Sequence, residues 1–189
     1  RYFNLGISGV HFPLMALVDY LGYRLTALSF LPINDNTLVY GSSDAGATVH
    51  ASNETFNQKM MLAASLLNLK PHHIGDSKQT LWSAADIEGH EVDSKFYLVD
   101  FSRAFPPCKY DSAVRNSFMF RQFRPEFVKA YEKPLCPDAY TGFESAKDAP
   151  EHAKEIEVAT RYLTSKVITS YAHTINRLPP KDLDELQLK

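Results

Sequence analysis

Phe96-Tyr97-Leu98-Val99-Asp100-Phe101-Ser102-Arg103-Ala104-Phe105-Pro106-Pro107 is the stretch on which the reading of this chain turns. Phe96 to Val99 are aromatic, aliphatic or β-branched, with no turn former among them, so the run predicts a strand. A nearly unbroken apolar run predicts cover on both faces and a place inside a sheet. Asp100 then sets a carboxylate at the exit of the strand, and Arg103 adds a cation three residues on. That pattern fits a structural Asp–Arg pair, and it also fits a scaffold for a site. Pro106-Pro107 have no N–H to donate and end the ladder.

Working upstream, Thr80–His90 reads as a strand ending at Gly89, and His90–Lys95 as a polar link. The expected hairpin has arms near Leu81–Ile87 and Phe96–Phe101, with Asp86 and Asp100 on opposite arms. A second hairpin is predicted from Tyr23 to Tyr40, turning at Asn34-Asp35-Asn36. Gly6 and Gly9 lack the third Gly or the Lys-Ser/Thr of a phosphate loop and read as a turn. Thr48–His50 is a candidate short strand. Ser52 or Asn53 caps a helix with Phe56, Met60, Ala63 and Leu67 on one stripe, which should reach about Leu69 before Pro71.

Downstream of Pro107 the pattern loosens. Pro125–Tyr131 suits a short helix with Pro in its first turn. From Pro150, Ile156, Leu163, Val167, Tyr171 and Ile175 form the stripe of a helix of about 25 residues, closed by Leu178-Pro179-Pro180. The tail Lys181–Lys189 is expected to be loosely held. The fold class expected is α+β: antiparallel β-hairpins packed with helices and closed by a long C-terminal helix. Residues 1–145 make the domain, and 146–189 are a helix and tail packed on it or extending from it.

Composition narrows the function. The chain has 189 residues, 44% of them hydrophobic, with a net charge of −2. That is enough for a real core and argues against polyanion binding over the whole surface. The charge is unevenly spread. Residues 103–137 carry seven cations (Arg103, Lys109, Arg115, Arg121, Arg124, Lys129 and Lys133) against three acids. No apolar run approaches the roughly 20 residues of a membrane span, so no membrane insertion is expected. Arg1 opens the chain without an initiator Met, and the sequence reads as part of something longer. Cys108 and Cys136 are too few for a disulfide scaffold and are expected to be structural thiols in a reduced, cytoplasmic setting. His72-His73 would point to opposite faces of a strand, so no metal site is expected there.

Several ordered blocks resemble one family. They are Gly22-Tyr23-Arg24, Leu38-Val39-Tyr40-Gly41-Ser42, Asp44-x-Gly46-x-Thr48-Val49, Asp86-Ile87-Glu88-Gly89 and the Phe96–Pro107 stretch, with Arg124-Pro125-Glu126 fitting its later part. Together they are similar to the CLU domain of the clustered-mitochondria (Clueless-like) proteins, over roughly residues 15–145. The resemblance implies a cytosolic protein that affects mitochondrial distribution and associates with messenger RNAs for mitochondrial proteins. It assigns RNA contacts to no particular residue.

Three functions stay open on the residues. The first is a noncatalytic binding module in which Arg103, Lys109, Arg115, Arg121 and Arg124 contact RNA phosphates, with Phe118, Phe120 and Phe123 offered for stacking. Equally, those phenylalanines could be core. The second is a kinase-like phosphotransfer or nucleotide-binding relic using Asp86 and Asp100 with a Mg-nucleotide, although no Gly-rich loop or Val-Ala-Ile-Lys strand accompanies them. The third is a protein-interaction domain, its partner another protein or other domains of a longer chain. The first reading needs no cofactor.

Overall fold

A computed structural model describes residues 1–177 of the chain. The expected helix end at Leu178-Pro179-Pro180 and the tail 181–189 lie outside the described residues. The fold is α+β. In chain order the strands are β1 (Val10–His11), β2 (Met15–Tyr20), β3 (Tyr23–Leu28), β4 (Leu38–Gly41), β5 (His50–Ala51), β6 (His72–His73), β7 (Thr80–Leu81), β8 (Glu88–Val92) and β9 (Lys95–Val99). The helices are α1 (Glu54–Leu67), α2 (Ser117–Phe120), α3 (Pro125–Ala130), α4 (Ala149–Tyr162) and α5 (Thr169–Ile175).

The organising strand lies inside a five-stranded sheet of order β1-β9-β8-β4-β5, where β9 pairs antiparallel with β8 and parallel with β1. Only Leu98 of Phe96–Val99 is fully buried, so cover on the second face is partial. The β8–β9 hairpin closes at Asp93-Ser94, both at positive φ (48° and 59°), the backbone of a two-residue turn whose twist matches the strands. The turn fixes the register Val92↔Lys95 through Glu88↔Val99. The upstream arm is therefore Glu88–Val92, not Leu81–Ile87, and Trp82–Ile87 is an irregular segment leading into it.

The first expected hairpin is also corrected. β3 pairs with β2, not β4, across a tight turn at Leu21-Gly22 (φ 47° and 82°). Asn34-Asp35-Asn36 forms instead a capped 3-10 turn, in which the Asn34 side chain accepts the Asn36 N–H and Thr37 Oγ1 accepts the Asn34 N–H. That turn delivers β4 to the main sheet, between β5 and β8.

α1 follows its sequence signals. Asn53 accepts the N–H of Phe56 as cap, and Asn68 ends the helix in the left-handed conformation. Phe56, Met60, Ala63 and Leu67 are buried. Phe56 packs against Tyr40 and Phe96, with ring centroids 5.5 and 5.1 Å apart. The close approach depends on Gly89, because a Cβ there would lie 2.2 Å from the Phe56 ring. Gly41 combines a φ of 91° with the carbonyl of Ile87 where a Cβ would go. Asn57 is buried as well and donates to the Ala51 carbonyl.

The chain is helical from Ala149 to Ile175, widening to a π-type stretch at Leu163–Ile168 between α4 and α5. Hydroxyls of Thr164, Ser165 and Thr169 donate to carbonyls one turn back, a competition that loosens the ladder. Ile156 and Ala159 of α4 join the common core, whereas Val167 and Tyr171 further along are exposed. Among the described residues no helix is long and apolar enough to cross a membrane.

Candidate functional site

The charged centre of the fold lies where the Phe96–Pro107 stretch meets the loop after α3. Arg103 is 2% exposed. Its Nε donates to Asp86 Oδ2 at 3.0 Å and its Nη2 donates to Asp138 Oδ1 at 2.9 Å. The guanidinium also sits over the Phe143 ring, 5.2 Å from the centroid. Asp138 Oδ2 in turn accepts the Ala85 N–H and pairs with His72 Nε2, both at 2.8 Å. The predicted Asp100–Arg103 pair does not form, since the arginine turns inward. Asp100 is exposed, at a φ of 53°, and accepts the N–H of Ser102.

These contacts set the protonation states. Burial pushes the Asp138 carboxyl up, but the hydrogen bond and charge of His72, with Arg103, overrule it and hold it below its ordinary value. Burial works against a charge on His72 as well, yet Cys136 and Asp138 raise its pKa well above the ordinary value. With Nδ1 at 3.2 Å from the Lys70 carbonyl and Nε2 on Asp138, both ring nitrogens act as donors, which is the imidazolium form. For Asp86, burial prevails over Arg103 and its pKa is raised. Its Oδ1 is buried without a hydrogen-bond partner among the described residues.

A second buried group adjoins the first. His152, in the first turn of α4, has Nδ1 2.6 Å from Glu144 Oε2, and Glu144 Oε1 accepts the Tyr140 N–H at 3.1 Å. The Cys136 thiol lies between His72 and His152; burial pushes it up, but the His72 charge and hydrogen bonds from both imidazoles bring it below its ordinary value. Burial lowers His152, and its bonds to Cys136 and Glu144 prevail, raising it to about 9.

The sequence-predicted residues fall into two sets. Asp86 is joined to Arg103, Asp100 faces outward, and neither belongs to a cluster of three or more metal-ligating groups among the described residues. Of the five cations expected to meet RNA, Arg103 is corrected: a buried guanidinium between two carboxylates has no surface to offer. Lys109, Arg115, Arg121 and Arg124 are exposed. Lys109 pairs with Glu157, Arg121 with Asp111, and Arg124 with Glu126. The aromatics divide as well, with Phe123 buried, Phe118 half-buried and Phe120 63% exposed.

His72 and His73 do point to opposite faces, one buried and one exposed, as strand geometry requires. Asp138, Glu144 and His152 gave no warning in the sequence. Their partners lie up to 66 residues away, and Asp138 sits in a Pro-flanked loop with no regular pattern.

The chain belongs to the CLU family. The family model for clustered mitochondria matches residues 1–109, which include β1 to β9 and both Asp86 and Arg103. The chain is 31% identical over 139 residues to the clustered mitochondria protein of Arabidopsis thaliana, covering 69% of this chain and 10% of that protein. It is 35% identical over 107 residues to the Caenorhabditis elegans homolog, covering 49% of this chain and 8% of the relative. The Brugia malayi homolog is 34% identical over 104 residues, covering 49% and 7% respectively. The chain thus spans about a tenth of the length of the curated relatives it matches. No solved structure matches it.

Proposed function

We propose that this chain is a noncatalytic CLU module of a cytoplasmic protein, acting in mitochondrial distribution by contacting messenger RNA. Residues 1–145 carry the module, and 146–189, which include the helical run from Ala149 to Ile175, pack on it or extend from it. The observation that supports a noncatalytic role is that the two acids do not converge: Asp86 is paired with the buried Arg103 guanidinium, while Asp100 faces outward. No cofactor is assigned in this reading. The RNA contact falls to the outward cations Lys109, Arg115, Arg121 and Arg124, with Phe120 and Tyr110 exposed beside them in the chain.

The test is a binding titration with single-stranded RNA over a range of salt. Four phosphate contacts correspond to a slope of log K on log salt of about −3. The triple substitution R115E/R121E/R124E should weaken binding and flatten that slope. Salt-independent binding, or a triple variant that binds like the parent, contradicts the proposal.

A second reading, a protein-interaction surface, is favoured by one observation. Every residue of β2 and β3 is exposed, including Met15, Leu17, Tyr20, Tyr23, Leu25 and Leu28. Apolar exposure on that scale marks contact surfaces. If the ribbon joins two copies of the chain, the mass in sedimentation should rise with concentration; a strictly monomeric profile leaves the contact to another protein or another domain.

A further inference from the structure

Three buried side chains of different chemistry meet behind the Arg103–Asp138 pair. One ligand atom each from Cys136, Glu144 and His152 lie within 4.8 Å of one another, and all three residues are buried. They come from three separate pieces of chain: the loop after α3, the segment that bridges to Ile74, and the first turn of α4. We propose that Cys136, Glu144 and His152 hold a single zinc-type divalent cation, which staples α4 to the body of the domain.

The donor set is the first argument. A thiolate, an imidazole and a carboxylate together suit zinc, which takes three protein donors and one further ligand. Bonds of about 2.0–2.3 Å at tetrahedral angles place donor atoms about 3.3–3.6 Å apart. The three donors lie within 4.8 Å of one another, and the 2.6 Å contact between His152 Nδ1 and Glu144 Oε2 opens as the ion enters. Charge is the second. Zn²⁺ with one thiolate and one carboxylate sums to zero, and the neighbouring Arg103 is already paired with Asp86 and Asp138. A neutral cluster is cheaper to keep out of water than separated charges.

Orientation is the third argument. Glu144 Oε1 is fixed by the Tyr140 N–H. His72, bonded to the buried carboxylate of Asp138, stands edge-on to His152 with ring centroids 6.4 Å apart. Carboxylates and backbone groups behind the donors are what hold metal sites in shape. Binding displaces the Cys136 thiol proton and the proton held between His152 and Glu144, and both pass to solvent. The residues are spaced as Cys-x7-Glu-x7-His, unlike the short pairs of common zinc motifs.

The experiment is a titration of the reduced, chelator-stripped chain with Co²⁺ and then Zn²⁺, with the bound metal quantified. One Co²⁺ per chain is expected, with a thiolate-to-cobalt charge-transfer band in the near ultraviolet and strong visible bands. Zn²⁺ should erase both and raise Tm. C108S should keep the charge-transfer band and C136S should lose it, with E144Q and H152Q binding more than about tenfold more weakly. Because the parent chain carries the main readout, a variant that fails to fold does not decide the question. A folded parent that binds no stoichiometric Co²⁺, or a band that follows Cys108 in place of Cys136, overturns the proposal.

Discussion

Asp138 receives Arg103, His72 and the Ala85 N–H, and of the three only Arg103 has a second carboxylate, Asp86. Asp138→Asn leaves two buried cations short of their counter-charge, and breaking a buried pair of this kind costs about 3–5 kcal/mol. Urea unfolding should show that loss as a lower midpoint with an unchanged slope. The pH dependence has a definite sign. Asp138 is held below its ordinary value in the fold, so its contribution is present above the unfolded carboxylate range and is lost as pH falls through the folded value. Acid unfolding of the parent should therefore be steeper below about pH 4 than that of D138N. Gly89 makes a second residue-scale prediction. Gly89→Ala drives a methyl into Phe56 and should destabilise by about 1–3 kcal/mol, with partial recovery in the G89A/F56L pair.

At the scale of elements, legibility followed the range of the signal. α1 was readable because its cap and stripe lie between Asn53 and Leu67, with the Pro71 stop just beyond. α3, with Pro125 at its first turn, and the long helix from Ala149 were readable for the same reason. β1, β5, β6 and β7 are two residues each, too short to carry any period. The Tyr23–Tyr40 hairpin was misread because Leu21 occupies the left-handed position, which Asn or Gly usually fills, while the stronger turn chemistry at Asn34–Asn36 serves a 3-10 turn. The Asp138 partners were invisible because nothing local ties residue 138 to residues 72, 85 and 103. The ribbon offers its own test. Two strands alone are marginal in water, so the amides of β2 and β3 should exchange much faster than those of β8 and β9, in hydrogen exchange read by mass spectrometry. Equal protection of the two hairpins would show that the ribbon is already covered.

For the whole molecule, the account joins a shown family to a proposed role. The chain belongs to the CLU family, and its charged residues separate into a buried network and an outward set. The buried set ties the irregular segments Trp82–Ile87 and Pro134–Glu144 together, while three of the four outward cations, Lys109, Arg121 and Arg124, pair with surface acids. The noncatalytic proposal has no place for a nucleotide, and a bound ligand would announce itself by raising Tm through mass action. The most direct measurement is the thermal unfolding of the 189-residue chain across a series of Mg-ATP concentrations, for the parent and for D86N. The noncatalytic account predicts a Tm that does not move with Mg-ATP in either protein. A saturable rise in the parent that D86N abolishes would contradict it and make Asp86 the centre of a nucleotide site.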